Sequence, residues 1–497
     1  MNRPASSFIF GLALVLIVST GRIVTAQFNE LAAKIPSTAN AIVLLDGPKL
    51  LASPLATSEG WKEKYEQAFA SGLVSIAPDT QQLILASQID YEYMRPVWEA
   101  AVGDFTRERP LADIARATKG TLDPIGDASA VALRDDAFLV SFGPKRLGVM
   151  SPANRQSVAR WLREAGSRTQ SALSPYLQGS LTASQTSAIV MAFDLQDAVP
   201  PDVIRAKLAS SPALAGKNIN LDAAAKALAS IRGLSLEVAV TSGTFGRLMI
   251  HFSGDAQVLA PVAKPLLLEI LAGLGASIDD IAEWKVESEP TRITLRGPLS
   301  AAGRKRVFSL IDQPTSALIA ADKNVASAET QEQAKTAAAS QQYFKSINSI
   351  LDDIRQTSKN AKTFGESALW FDKWSRKIDR LPLLNVDSDL LAFGRDTAEG
   401  LRQMATSLRG IGINTGARTA QIYNTGSASV SVSPGSWGYG GSMSYYADWR
   451  NVSAERLAVK AEEKAKGALS ARDIAGQIVN ETSRIRQAMS QKYQVEF

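Results

Sequence analysis

Ala41-Ile42-Val43-Leu44-Leu45-Asp46 and Ala188-Ile189-Val190-Met191-Ala192-Phe193-Asp194 read as one stretch met twice. In each, Ala-Ile-Val leads through two or three further apolar residues to an aspartate, at an offset of 147 to 148 residues. A second match lies downstream in the same order. Met150-Ser151-Pro152-Ala153-Asn154-Arg155 runs on to Val158, Trp161 and Leu162, and Leu299-Ser300-Ala301-Ala302-Gly303-Arg304 runs on to Val307, Leu310 and Ile311, at an offset of 149. Two ordered matches at nearly one spacing imply a duplicated unit of about 150 residues.

Each unit reads as α+β. In the first, Ala41 to Leu45 lies between Pro36 and Gly47-Pro48 as a short buried strand, and Trp61, Tyr65 and Phe69 give one apolar helix face. Gln82 to Ile89 and Pro96 to Val102 form a hairpin, and Leu111, Ile114 and Ala115 mark a helix that Gly120 stops. Ala130 to Leu133 and Ala137 to Phe142 flank an Asp135-Asp136 turn. Ser151 with Pro152 then caps a closing helix, since the hydroxyl can accept from a free amide of the first turn and proline lacks the amide that would go unpaired. The second unit repeats the order: strand Ala188 to Phe193, helix Leu221 to Ile231, strands Leu234 to Val240 and Arg247 to Phe252, helix Ala260 to Ala272, strands Ala282 to Glu287 and Arg292 to Leu295, and a helix capped by Ser300. Gly103-Asp104 and Gly254-Asp255 are matched at an offset of 151. The expected fold is two tandem duplicated antiparallel-sheet-plus-helix domains, 27–166 and 180–313, packed together or in tandem.

From Ala317 the pattern turns helical. A region over 318–418 contains a long helix that opens on a Thr330/Gln333 capping box and carries Tyr343, Phe344, Ile347, Ile350, Leu351 and Ile354. A second helix spans Ser367 to Ile378, and a third runs from Asp387 to Leu408 and ends at Gly410. Residues 419–448 are rich in Gly, Ser and Tyr and read as a loop or hairpin. Residues 449–497 form a long helix whose seam, Leu457, Ala461, Lys464, Ala468, Ala471, Ala475, Ile478, Thr482, Ile485 and Met489, docks on the earlier helices as a bundle rather than pairing with itself as a coiled coil.

Residues 1–26 read as a signal peptide: Arg3, an apolar run from Phe8 to Val18, and Val24-Thr25-Ala26 before the cut. An uncleaved anchor is the alternative, disfavoured because Ser19 to Arg22 interrupt the run short of the roughly 20 apolar residues a span needs. Export to the periplasm or cell envelope follows. The net charge of +5 falls to about +3 once Arg3 and Arg22 are removed, with both signs interspersed, which argues against nucleic acid. The absence of cysteine excludes a disulfide framework and thiolate metal sites.

Tyr91-Glu92-Tyr93-Met94-Arg95-Pro96-Val97-Trp98-Glu99, Arg146-Leu147-Gly148-Val149-Met150-Ser151-Pro152-Ala153-Asn154-Arg155-Gln156 and Trp370-Phe371-Asp372-Lys373-Trp374 through Arg380-Leu381-Pro382-Leu383-Leu384-Asn385-Val386-Asp387 resemble segments of exported proteins of unknown function from planctomycete bacteria. The resemblance implies export and architecture and transfers no catalytic role.

The chemical candidates are few. His251, the single histidine, sits on a strand between Ile250 and Phe252, matched to Ala100 in the first unit, and is expected to face solvent or a polar seam. No Gly-x-Ser-x-Gly elbow supplies a nucleophile for it. Asp46 and Asp194 are the one acid pair the repeat singles out; accepting bonds from the amides that follow is preferred over catalysis. Arg155 and Arg304 should satisfy carboxylates or carbonyls between elements. Asn385-Val386-Asp387-Ser388-Asp389 has Leu390 where a calcium loop needs glycine, so Asp387 or Ser388 is read as a helix cap. Gly410-Ile411-Gly412 follows a helix and is no dinucleotide turn. Arg304-Lys305-Arg306 is read as a solvated helix face. No catalytic, cofactor-binding or metal residue is assigned and no cofactor is expected. The leading expectation is a non-enzymatic envelope protein, a scaffold or binding module with a protein partner or self-association through its helical tail. The alternatives are a surface adhesin using the Gly/Ser/Tyr-rich loop and a carboxylate-dependent extracytoplasmic hydrolase.

Overall fold

A computed structural model describes residues 28–91, 95–198, 201–315, 317–318, 332–360, 368–424, 471 and 473–497. The expected signal sequence, the expected Thr330 cap, most of the Gly/Ser/Tyr-rich segment and the first part of the expected 449–497 helix fall outside the described residues. The protein is mixed α+β, with a large antiparallel sheet and a helical C-terminal region. It divides into two compact units: Leu267–Asp279 with Thr330–Phe497 form one, and the remainder forms the other.

The sheet of the first unit has twelve strands: β1 (Ala41–Asp46), β2 (Thr80–Asp90), β3 (Arg95–Phe105), β4 (Thr121–Leu122), β5 (Ala130–Ala132), β6 (Phe138–Gly143), β7 (Arg146–Ser151), β8 (Ile189–Asp194), β9 (Ile231–Val240), β10 (Thr244–Phe252), β11 (Lys285–Glu289) and β12 (Arg292–Pro298). Their order is β11-β12-β10-β9-β8-β1-β2-β3-β7-β6-β5-β4. The two expected sheets are therefore one. The opening strands β1 and β8 pair with each other, Ala41 opposite Phe193 and Leu45 opposite Ile189. Asp46 N–H donates to Ala188 O at 2.9 Å and Asp194 N–H to Asn40 O at 2.8 Å, closing the ladder at both ends. A short strand buried on both faces leaves both of its backbone edges in need of partners, and each opening strand supplies one for the other.

Outward from that seam the halves run in parallel orders, β1-β2-β3-β7-β6 on one side and β8-β9-β10-β12-β11 on the other. Strand β7 falls where the sequence pattern suggested only the approach to a helix. Ser151 ends this strand instead of capping the helix, which spans Arg155–Ser167 with Asn154 Oδ1 accepting from Ser157 N–H at 3.0 Å. Ser300 does cap its helix, accepting from Gly303 N–H at 3.1 Å.

Side chains alternate along strands, so the sheet has two distinct faces. One face of the first half carries Ile42, Leu44, Ile84, Ala86, Ala100, Val102, Phe138, Val140 and Met150, all buried against Phe28, Leu31, Val158, Trp161 and Leu177. Gly148 admits the Trp161 ring: a Cβ there would overlap both it and Phe142, and those two rings meet edge to face at 5.4 Å. Trp161 Nε1 donates to Lys34 O at 2.5 Å, so the indole is paired as well as packed.

In the second unit the helices Glu332–Asn360, Ala368–Asp379 and Ser388–Asn424 bury the aromatic positions read from the sequence, including Phe344, Trp370, Phe371 and Trp374. The third helix continues through Gly410, contrary to expectation. A helical glycine costs only about 1 kcal/mol relative to alanine and ends a helix only where it turns left-handed. Residues 473–493 are helical, and Ala471, Ile478, Ile485 and Met489 of the expected seam are buried. This helix is held at its end by Asp387, which accepts from Lys492 Nζ at 2.8 Å and Tyr493 Oη at 2.6 Å. Asp387 Oδ1 also accepts from Asp389 N–H at 2.9 Å, the capping role read from the sequence. No described helix is long and apolar enough to cross a membrane.

Two outcomes are expected. Trp161→Ala should cost about 3 to 5 kcal/mol in urea unfolding, as for other large buried aromatics, and a loss below about 1 kcal/mol would show that this face is not close-packed. Burial acts to raise the Asp387 pKa, but the bonds from Lys492 and Tyr493 outweigh it and hold the carboxyl below its ordinary value. A depressed acid stabilises the fold above its unfolded pKa of about 3.9 and loses that contribution as pH falls through the folded value. Protection factors against hydrogen exchange over 473–493, taken relative to the intrinsic rate at each pH, should therefore fall on acidification, and Asp387→Asn should remove that pH dependence.

Candidate functional site

Matching Asp46 to Asp194 and counting outward along the ladders sets each half against the other. Ile84, Ala86, Ala100, Val102, Gly148 and Met150 then correspond to Ser235, Glu237, Arg247, Met249, Thr294 and Arg296. The face that is apolar core in the first half thus stays apolar at Val190, Ala192 and Met249 of the second and is otherwise polar across β9, β10 and β12. His251 corresponds to Asp104 rather than to Ala100, and Gly254 lies beyond the end of β10, whereas Gly103 and Asp104 lie inside β3. The sequence match of Gly103-Asp104 with Gly254-Asp255 is displaced because the turns between strands differ in length.

This polar face forms the floor of a groove of about 780 Å³ in the first unit, walled by residues between Ser174 and Thr186 and lined by Asp194, Arg232, Ser235, Glu237, Arg247, Met249, His251 and Arg292. The wall is placed by the Pro175–Ser180 helix, whose cap Ser174 and first-turn proline start it, and by Leu177 and Leu181, which anchor it in the apolar core. Gly233 leaves room for the Tyr176 ring, which a Cβ would strike.

Glu237 is 4% exposed, and a buried carboxylate is tolerated only when paired. Arg247 pairs with it through Nε at 3.2 Å and more closely through Nη2, and Ser187 Oγ lies at 3.4 Å. Asp194 accepts from Gln196 N–H at 3.1 Å, and its carbonyl accepts from Tyr91 Oη at 2.6 Å. Tyr176 Oη and His251 Nδ1 are 3.2 Å apart. Burial, opposed by the neighbouring Ser235 hydroxyl and then aided by the charges of Asp194 and Glu237, pushes the Tyr176 phenol up to about 12. Burial, and after it the Arg292 guanidinium, lower the His251 pKa. The phenol therefore keeps its proton and the imidazole is neutral near pH 7. Ser235 Oγ completes no hydrogen bond among the described residues, although it lies close enough to Tyr176 to act on the phenol.

The other sequence candidates are placed as follows. Asp46 caps the helix after β1 by accepting from Lys49 N–H at 2.9 Å, and it lies at the opposite end of the β1/β8 ladder from Asp194. Arg155 holds Asp123 and Pro124 O, and Arg304 holds Glu59 at 3.0 Å with its guanidinium 4.8 Å from the Trp61 ring centre. Arg304-Lys305-Arg306 is not a solvated face: Arg306 is buried and Arg304 is covered by that ring. Among the described residues no cluster of three or more His, Asp or Glu could hold a metal.

Tyr176, Ser235, Glu237, Arg247 and Arg292 were not singled out by sequence. Alternation within Arg247 to His251 shows a polar side, but only the register aligns that side across four strands.

No family model and no curated protein matches the chain. Among solved structures it is similar to two crystal forms of TP0453: form III with TM-score 0.34 and 12% identity, covering 56% of this chain and 96% of that one, and form I with TM-score 0.34 and 11% identity, covering 59% and 96%. A likeness at that level decides neither fold nor function.

Because His251 is the single histidine, its ring protons can be followed alone by NMR. Its midpoint should lie below the ordinary value of about 6.5 and rise in Arg292→Gln. A midpoint at or above that value would contradict the buried placement.

Proposed function

We propose that this chain is an exported, non-enzymatic binding module of the cell envelope, in which an α+β unit has been duplicated and the second copy presents its sheet face as a recognition groove. One observation carries the reading: at positions corresponding through the ladders, Ile84, Ala86 and Ala100, buried in the apolar core of the first half, give way to Ser235, Glu237 and Arg247, which line the groove. A core face converted to buried and half-buried polar groups costs stability, and a groove that offers them to a ligand supplies the compensating gain. The helical C-terminal region serves the same role as an attachment element, through a protein partner or a second copy. The export signal and the resemblance to exported planctomycete proteins support the envelope as its place of work.

The geometry favours binding over carboxylate-dependent hydrolysis. Asp194 stands opposite Gly233, four residues along β9 from Glu237, which separates the two acids by roughly 13 Å along the strand. Paired glycosidase carboxylates stand roughly 5 to 9.5 Å apart.

Saturation-transfer NMR with neutral sugars, amino acids, short peptides and small anions tests the proposal. At least one class should bind the full chain and lose binding when Ser235→Trp fills the floor or Thr186→Trp closes the rim. Binding by none, or equal binding by both folded variants, would overturn it.

A further inference from the structure

Correspondence across the sheet exposes a difference in one arginine's surroundings. In the first half, Arg146 on β7 grips Asp104 on β3 with two parallel bonds, Nε to Oδ1 at 2.7 Å and Nη2 to Oδ2 at 2.9 Å. Counting the same ladders in the second half, Arg292 corresponds to Arg146 and His251 to Asp104. The carboxylate of that pair has been replaced by an imidazole. Arg292 keeps an outer contact to exposed Glu289, Nη2 to Oε1 at 2.7 Å, but its Nε is buried and has no hydrogen-bond partner among the described residues. A planar guanidinium matches a two-oxygen anion, and here one arm of the Nε/Nη2 fork, Nε, is left without an acceptor while Nη2 is shared with Glu289 at the surface.

The rest of the groove is rich in donors. Glu237 is taken by Arg247 and Ser187, and Oδ1 of Asp194 by Gln196 N–H. Tyr176 Oη lies 3.2 Å from His251 Nδ1, and in the tautomer in which Nδ1 accepts the phenol proton the neutral imidazole keeps Nε2–H as a donor. Ser235 contributes a hydroxyl that is nine-tenths buried and unpaired. Arg232 is held by the neutral side chain of Gln196, so its charge is not cancelled there.

Resting on the reading of the groove as a binding site, we propose that its ligand is a small oxyanion, a carboxylate or a phosphate, seated at Arg292 and His251 in the place that Asp104 occupies against Arg146. Arg292 supplies the charge and the planar fork. His251, being neutral, adds a donor without a competing charge, and Arg232 favours negative ligands over neutral ones at the mouth.

Succinate and inorganic phosphate, with glucose as the neutral control, can be titrated into the full chain while the His251 ring signals are followed. Saturable shifts with succinate assign a carboxylate, and with phosphate a phosphate; glucose should cause none. Arg292→Lys, which keeps the charge and loses the fork, should weaken the anion at least about tenfold, equal to about 1.4 kcal/mol. His251→Asp rebuilds the first-half pair within the chain and should abolish anion binding without loss of thermal stability, read by isothermal calorimetry since the histidine signal is gone. The proposal is overturned if neither anion binds, or if His251→Asp binds as well as the parent. Neutral ligands that bind and are blocked by Ser235→Trp, with no response to either anion, would leave the groove standing as a binding site and remove its anion preference; no binding by any class would remove both.

Discussion

The pairing of β1 with β8 is the constraint on which the first unit depends. Each is six residues long and pairs on both edges, once with its own half and once with the other. Asn40, Asp46, Ala188 and Asp194 fasten the two ends of this ladder by backbone bonds. Because a one-residue slip would turn every side chain to the wrong face, this seam sets which residues of all the outer strands lie inside. Separating the halves would strip one edge from each strand and leave five or so backbone groups per strand without partners in an apolar setting.

The shared register makes the two halves comparable position by position, and there they part. In the first half the face is filled to contact: Gly148 yields space to Trp161, which packs on Phe142 and bonds Lys34. In the second half the same face bears Glu237 and Arg247, where the charge is kept inside by direct pairing. The opposite face stays apolar across both halves, with Leu83, Val149, Val238, Leu248 and Leu295 all buried. Burial on that side holds the strands together, which frees the other side of the second half to carry polar groups.

The helical unit follows a different logic. Its helices meet through aromatic clusters, Phe344 lying 6.1 Å from both Phe393 and Phe497, and the described part of the last helix buries Ala471, Ile478, Ile485 and Met489. The polar lock at Asp387, which gathers Lys492, Tyr493 and Ser340, fixes the end of that helix by direction as well as contact.

Local pattern was enough to reveal the alternation of strands and helices, the repeated opening stretch, the caps at Ser300 and Asp387, and the amphipathic helices at Tyr343 to Ile354 and Trp370 to Ile378, because each depends on residues within a turn or two of one another. Strand β7 leaves little local signal, since Arg146 to Ser151 is short and contains Gly148, whose purpose is visible only once Trp161 lies over it. The helix stop expected at Gly410 failed for the complementary reason: glycine permits a left-handed turn but does not impose one. The groove was beyond local reading altogether. Ser174 to Thr186, Glu237, Arg247, His251 and Arg292 are brought together by strand register and by the joining of both halves into one sheet. Amino-acid order decides which side chains alternate on a strand, whereas hydrogen bonding between distant strands decides which of those sides face each other, and so which arginine the single histidine meets.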